Sequence, residues 1–185
     1  MTSVACGDKK PTTPVQNFVP YDAGGGPPLV ATSDATAPPP AGSCSGTAQI
    51  IDPTMAALAT TAVAQIAGTE APGMTPEGAV CAANFTTGST LETTFQMMPG
   101  KCYTVVGVGA GIQQLDISAT VVSPLPGFNM PFGVNDKKVT PIGSQSVLGA
   151  KVNCLKTLLP MQVPVKITVT ATKGQGLAAA QLYSK

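Results

Sequence analysis

The residues of this chain best suited to chemistry are its five cysteines, Cys6, Cys44, Cys81, Cys102 and Cys154. No two of them form a Cys-x-x-Cys pair and the chain has no His, so a zinc site would need four thiolates from separate segments. With Cys6 set aside, an even number of well-separated cysteines in a small β-rich domain predicts two disulfides and an oxidising compartment.

Three pairings of these four cysteines are possible. We favour Cys102 with Cys154, which joins a central strand to a late segment of the chain, and Cys44 with Cys81, which clips the end of a tether to the strand after a helix. The first bond would close a loop of about fifty residues and contribute about 4 kcal/mol through the entropy of the unfolded chain.

The absence of other residue types excludes most catalytic machinery. The chain has neither His nor Arg, so a Ser-His-Asp or Cys-His arrangement and bidentate guanidinium recognition are both ruled out within it. An enzyme built from carboxylates and Lys would have to bring together acids such as Glu92, Asp116 and Asp136, which are scattered along the sequence. We therefore predict no enzyme, no catalytic residue, no cofactor and no metal site.

The charge pattern limits the choice of partner. Charged residues make up 10% of the 185 residues, against about 25% in an average domain. Residues 1–100 carry a net charge of −5 and residues 101–185 a net charge of +6. Lysines that lie on solvated strand faces explain the positive charge of residues 101–185. The alternative is that these lysines bind an anionic lipid or polysaccharide surface. With no Arg and 4% aromatic residues, we expect no nucleic-acid binding.

The composition of the chain and the spacing of its apolar residues predict the segments that position the cysteines. Residues 1–46 are rich in Pro and Gly and predict a disordered, flexible tether, with a reach of roughly 35 Å for forty residues. Asp52 as N-cap, Pro53 in the first turn and Gly68 just beyond the end predict one helix near 53–67. Its apolar stripe contains Met55, Leu58, Ala59, Ala62, Val63 and Ile66.

After the helix the apolar period changes to two, which predicts strands. Alternation is clear in 89–98, 112–122 and 163–173, and 101–109 and 176–185 are largely apolar. Shorter strands are predicted near 78–85, 138–141, 145–149 and 152–157. The glycines of "GVGAG" at 107–111 predict a tight hairpin, and "SPLPG", "VNDKK", "PIGSQ" and "KGQG" predict turns. The fold class is therefore mainly β: residues 47–185 form one antiparallel β-sandwich or jelly roll with a packed helix.

Two resemblances add to this interpretation. "SVAC" followed by "GDKK" resembles the lipobox of a bacterial lipoprotein signal peptide, although Ser3 stands where Leu is commoner. This resemblance implies that Cys6 is the site of lipid attachment. A basic stretch and about a dozen apolar residues immediately upstream of Met1 would confirm the export signal.

The second resemblance covers residues 88–185. "GSTLETTFQMMPGKCYTVVGVGAGIQQLDISATV", "NCLK" and "PVKITVTATKGQGLAAAQLYSK" resemble a β-sandwich module of uncharacterised lipoproteins from myxobacteria-like species. They are also distantly similar to bacterial pre-peptidase C-terminal domains. The resemblance implies a jelly-roll-like accessory domain with no catalytic residues to carry over.

Taken together, these patterns predict a non-enzymatic, lipid-anchored protein of the cell envelope, held at the outer membrane and facing the periplasm or the surface. Its disulfide-bonded β-sandwich would be a structural or binding module, with an envelope polysaccharide or another envelope protein as partner. The alternative is a secreted, non-lipidated module that binds carbohydrate or protein.

Overall fold

The computed structural model describes residues 43–52, 56–122 and 143–185, together with the backbone of 135–140. The chain divides between Ala37 and Pro38, and all described residues belong to the second unit. Residues 1–42 of the predicted tether, with the predicted lipid site at Cys6, and the predicted turn at 123–127 lie outside the described residues.

Eight strands and one helix form the described domain. In chain order they are β1 (Ser45–Gly46), β2 (Gln49–Ile50), α1 (Ala57–Glu70), β3 (Thr75–Phe85), β4 (Thr90–Met97), β5 (Tyr103–Val121), β6 (Asn135–Thr140), β7 (Gly143–Leu148) and β8 (Val163–Ser184). A short 3-10 turn spans Lys151–Asn153. All strand pairs are antiparallel.

Strand β8 is the centre of the sheet. One of its edges pairs with β5 from Tyr103 to Val121. Its other edge pairs with β4 over the first half of β8 and with β3 over the second half. Beyond β5 the sheet continues through β7 to β6, while β1 extends β4 and β2 extends β3.

The two longest strands bend at the same place, and the bend folds the sheet over itself. The register of β5 against β8 shifts between Ala110 and Leu115. Gly111 and Gly174 there have φ of +79° and +88°, and a Cβ on Gly174 would lie 2.8 Å from the Gln113 nitrogen. These positions therefore require glycine.

The result is an antiparallel β-sandwich made from one sheet. We call β3, β7, β6 and the adjoining halves of β5 (103–110) and β8 (177–184) the first layer. The second layer contains β1, β4 and the other halves, 112–121 and 163–171. A Cβ on Gly107 of the first layer would lie 2.8 Å from Ile117 Cδ1 of the second, which shows how closely the layers pack.

Alternating side chains of both layers fill the core. Those fully buried between the layers include Leu91, Met97, Tyr103, Ile112, Leu115, Leu148, Val165 and Ile167. The rings of Phe95 and Tyr103 lie 5.2 Å apart across the sandwich. We call the end of the sandwich opposite the bend, where these rings lie, the open end.

Helix α1 packs on the outer face of the first layer. Its buried residues are Ala59, Val63 and Ala67, which recur every fourth residue. They pack with Val106, Ala179 and other small side chains of the sheet. The prediction of a mainly β sandwich with one packed helix is thus confirmed.

The helix itself differs from its predicted bounds. Residues 53–55 of the predicted helix lie outside the described residues; α1 spans Ala57–Glu70 with Ala56 rather than Asp52 at its N-cap, and the Ala56 N–H donates to the Asp52 carbonyl oxygen at 3.2 Å. Gly68 lies inside the last turn, and the helix ends at Glu70 before Pro72, which has no N–H to continue it. Leu58 of the predicted apolar stripe is 85% exposed, and the buried residues of the helix are the smaller Ala59, Val63 and Ala67.

Several predicted turns are wrong. "GVGAG" forms no hairpin, and "KGQG" forms no turn between strands, because β5 and β8 each run on through their glycines as one bent strand. Residues 135–138 of "VNDKK" lie in β6, and 143–145 of "PIGSQ" lie in β7. The predicted strand at 152–157 is a 3-10 turn followed by a single bridge from Leu155 to Tyr103.

The predicted tether boundary also shifts. Cys44 forms a disulfide, and Ser45 and Gly46 pair with Glu92 and Leu91 of β4. Residues 43–46 therefore belong with the sandwich rather than with the Pro/Gly-rich segment.

Candidate functional site

Two disulfides use all four cysteines of the sandwich. Cys44 bonds to Cys81 and Cys102 bonds to Cys154, with Cα–Cα distances of 5.8 and 5.4 Å. This is the pairing that the sequence analysis favours. Because Cys44 precedes a strand of the second layer and Cys81 lies in the first, their bond ties the two layers together at one edge.

A cleft opens at this same edge, between β3 and β4. It has a volume of about 120 Å³ and is lined by apolar side chains of both layers. These include Cys81, Leu91, Phe95, Val105, Ile167 and Val169. Both strands pair with β8 but at different halves of it, so the fold leaves a gap between them where the layers face each other.

Polar side chains at the rim of the cleft form ion pairs. Lys101 Nζ donates to Glu77 Oε1 at 3.1 Å, and Lys166 Nζ donates to Glu92 Oε1 at 3.3 Å. The Ser184 hydroxyl also donates to Glu77. The hydrogen bond and the charge of Glu77 raise the pKa of Lys101 above its usual range. The cleft therefore combines an apolar floor with a rim of paired charges.

A second, wider groove runs beside the helix. It measures about 570 Å³ and lies between α1 and the start of β3, with Thr60, Ala67, Met74 and Tyr183 among its lining residues. Burial raises the pKa of the Tyr183 hydroxyl, because the phenolate would be poorly solvated there. The groove is lined mainly by small side chains.

Glu92, Asp116 and Asp136, the acids considered above for an enzyme, lie on three different strands. Glu92 of β4 and Asp116 of β5 lie on strands separated by β8 and at different register positions, facing Thr168 and Thr170. Asp136 is on β6, at the far edge of the sheet. Within the described part of the chain no three His, Cys, Asp or Glu residues are placed to hold a metal ion.

The cleft is not apparent from the sequence. Its lining comes from β3, β4, β5 and β8, and these residues meet only because the sheet folds over at Gly111 and Gly174. The alternating pattern of each strand does indicate which side chains point inward. It does not indicate that the layers leave a gap at the β3–β4 edge.

Comparisons with known proteins give no relative: no family model, no curated protein and no solved structure matches this chain. Among the described residues, no helix is long and apolar enough to cross a membrane.

Proposed function

We propose that this protein is a non-enzymatic, lipid-anchored component of the cell envelope whose β-sandwich binds the apolar end of a ligand. In this proposal Cys6 carries the lipid and the outer membrane holds the protein, facing the periplasm or the surface. The edge cleft between β3 and β4 is the binding site. That cleft is the observation on which the binding function rests.

The two disulfides support the proposed compartment. Both connect residues far apart in sequence, 37 and 52 positions. Disulfides of this kind persist in oxidising compartments such as the bacterial periplasm and are rare in the cytosol. Because they use Cys44, Cys81, Cys102 and Cys154, Cys6 is the one cysteine of the chain that they leave for lipid attachment.

The dimensions of the cleft limit what it binds. Ligand pockets for whole drug-sized molecules measure about 300–1,000 Å³, and this cleft measures about 120 Å³. It has room for one ring or a short alkyl segment. Since Glu77 and Glu92 at the rim are paired with lysines, the polar remainder of a ligand would lie in solvent against hydroxyl groups and ion pairs.

Titration with the neutral fluorescent probe N-phenyl-1-naphthylamine tests the binding site. We expect saturable fluorescence that Ala180→Val weakens at least about fivefold, because Ala180 lines the cleft and two added methyl groups fill part of it. The matched control is Ala178→Val, on the same strand and the same buried face but outside the cleft. Equal probe affinity in wild type and both variants would contradict a site in the cleft.

Mass spectrometry of the mature protein tests the anchor. In a bacterial host with a lipoprotein export signal placed before the chain, we expect the N-terminal peptide to carry an acyl modification on Cys6 and the protein to sediment with membranes. Cys6→Ser is the control and should move the protein to the unbound fraction. An unmodified Cys6 in the mature wild type would favour the alternative, a secreted module that binds without a lipid.

A further inference from the structure

The loop between β7 and β8 exposes large apolar side chains to an unusual degree. Val152 is 91% exposed, Leu158 99%, Leu159 53% and Met161 64%. These four are half of the large apolar residues that the described chain exposes. We call residues 149–162 the apolar loop.

The base of the apolar loop is fixed to the sandwich. Cys154 bonds to Cys102, and the buried Leu155 exchanges two backbone hydrogen bonds with Tyr103, at 2.8 and 2.9 Å. Near its tip the Leu159 N–H donates to the Thr157 hydroxyl at 3.1 Å. The exposed Leu158 and Leu159 therefore project from a base that is covalently tied to the sandwich.

The apolar loop lies at the open end of the sandwich. It leaves β7 beside Tyr103 in the first layer and reaches β8 at Val163, beside Met97 of the second layer. Two further exposed apolar residues, Met98 and Val122, lie at this same end, directly after β4 and β5. Six of the eight exposed large apolar residues of the described chain are thus gathered at one end.

The charges of the apolar loop all have one sign. Residues 149–162 contain Lys151 and Lys156 and no acid. Lys151 forms an ion pair with Glu70 at 3.4 Å, and its side chain is still 59% exposed. Protruding aliphatic side chains flanked by lysines are complementary to an anionic bilayer, with apolar groups entering the acyl boundary and ammonium groups at the headgroups.

The shape of the loop favours a bilayer over a protein partner. Its exposed side chains project from a loop rather than line a groove into which a partner would fit. A bilayer requires no shape complementarity, so aliphatic residues alone suffice.

We propose that the apolar loop inserts into the interface of an anionic membrane and orients the sandwich with its open end toward the lipid. This inference rests on the proposed function, in which a lipid on Cys6 holds the domain near a bilayer. The loop would then be a second, non-covalent contact. The edge cleft, which is lined by Leu91 and by Phe95 at the open end, would then lie close to the membrane surface.

The test uses the full chain with Cys6→Ser, so that no lipid contributes, and measures flotation with vesicles of phosphatidylethanolamine and phosphatidylglycerol at 3:1. We expect the protein to float with these vesicles. Replacing Leu158, Leu159 and Met161 together by Ser should weaken partitioning at least about tenfold. The matched control replaces Ile50 and Leu58, which are exposed elsewhere on the domain, by Ser, and should float like the parent protein.

A second pair of measurements tests the role of charge. Lys151→Gln with Lys156→Gln should lower partitioning by about 5- to 25-fold, since each lysine near an anionic surface contributes about a factor of five and Lys151 is partly neutralised by Glu70. High salt should lower the partitioning of the parent but affect this variant less. Vesicles of phosphatidylcholine alone should bind the parent more weakly than the anionic vesicles do.

Three outcomes would overturn the inference. One is a parent protein that does not float with anionic vesicles, and another is a triple variant that floats as well as the parent. The third is a dimer in sedimentation velocity that the triple variant abolishes, because the loop would then contact a second copy of this chain. None of these results bears on the mass of the Cys6 peptide, so the proposed anchor is tested separately.

Discussion

At Gly107 the two layers of the sandwich are so close that the position has no room for a side chain. A Cβ there would lie 2.8 Å from Ile117 Cδ1 and 3.3 Å from Leu115 Cδ2. The contact atoms are the ends of side chains, so they can shift, but only within a packed core. Gly68 in α1 is the opposite case, because a Cβ there meets nothing within 4 Å.

These two glycines give a matched pair of substitutions. Gly107→Ala should lower the free energy of unfolding by about 1–3 kcal/mol through overpacking. Gly68→Ala should raise it by about 0.5–1 kcal/mol, because alanine has the higher helix propensity. Urea denaturation of both variants checks the prediction. Equal effects of the same sign would mean that the layers are not in the contact described.

Ionisation of Tyr183 should contribute to the loss of folding stability at alkaline pH. Its pKa is raised by burial above the unfolded value of about 10, so the folded state holds the proton more tightly than the unfolded state. The stability that this contributes is present below about pH 10 and is lost as pH rises through the folded-state pKa.

Tyr183→Phe removes this titration. We expect the variant to lose less stability than wild type between pH 9 and pH 11, measured as the shift of the urea midpoint. The comparison at pH 8 corrects for any packing difference. A wild type and a variant with parallel pH profiles would show that Tyr183 ionises equally in both states.

At the scale of elements, the helix buries its small residues against the sheet. Ala59, Val63 and Ala67 face the first layer, and Val63 is fully buried among small residues of β3, β5 and β8. Leu58, one of the larger side chains of the helix, is 85% exposed. A helix that lies close to the outer face of a sheet accommodates alanine and valine there more readily than leucine.

Substitution of Val63 and of Leu58 by Ala tests this arrangement. Val63→Ala should cost about 1–3 kcal/mol, from lost apolar burial and a small cavity. Leu58→Ala should change stability by less than about 0.5 kcal/mol, as is usual at exposed positions. Thermal unfolding by circular dichroism checks both. A larger loss for Leu58→Ala would place that residue in the packed face instead.

The sequence predicts the strand faces well and the connections poorly. Alternation in 163–171 and in 115–121 correctly identifies Val165, Ile167 and Ile117 as inward-facing. Glycine with positive φ serves equally in a hairpin and in the bend of a continuous strand, so "GVGAG" alone cannot separate them. Only the pairing with another strand distinguishes a hairpin from a bend here, and the partner strand β8 is more than fifty residues away in the sequence.

The remaining errors have the same cause. Residues 135–138 look like a turn because they are polar, yet their backbones pair with β7. Residues 152–157 look like a strand because of Val152 and Leu155, but only Leu155 finds a partner. The edge cleft and the exposed leucines of the apolar loop also depend on where the two layers of the sandwich end. A local sequence pattern does not predict those positions.

At the scale of the whole molecule, the disulfides join parts that the sheet alone holds less firmly. The Cys44–Cys81 bond connects the layers, and the Cys102–Cys154 bond ties the apolar loop to the start of β5. Cross-links of such separation stabilise a fold by restricting its unfolded chain, typically by 2–4 kcal/mol each.

Removal of each bond should therefore be costly. Changing Cys102 and Cys154 together to Ser should lower the free energy of unfolding by about 4 kcal/mol, and changing Cys44 and Cys81 together should have a somewhat smaller effect, because the loop is shorter. Denaturation with and without dithiothreitol checks the values. Cys6→Ser is the control and should leave stability unchanged, and a wild type insensitive to the reductant would contradict the prediction.

The position of β8 determines when the sheet can form during synthesis. Strands β3, β4 and β5 all pair with residues 163–184, which the ribosome adds after every other described strand. Until those residues emerge, the three strands have no common partner and the layers cannot close over a core. If the protein is exported as proposed, a machinery that engages the nascent chain before residues 163–184 emerge would meet it before this sheet can form.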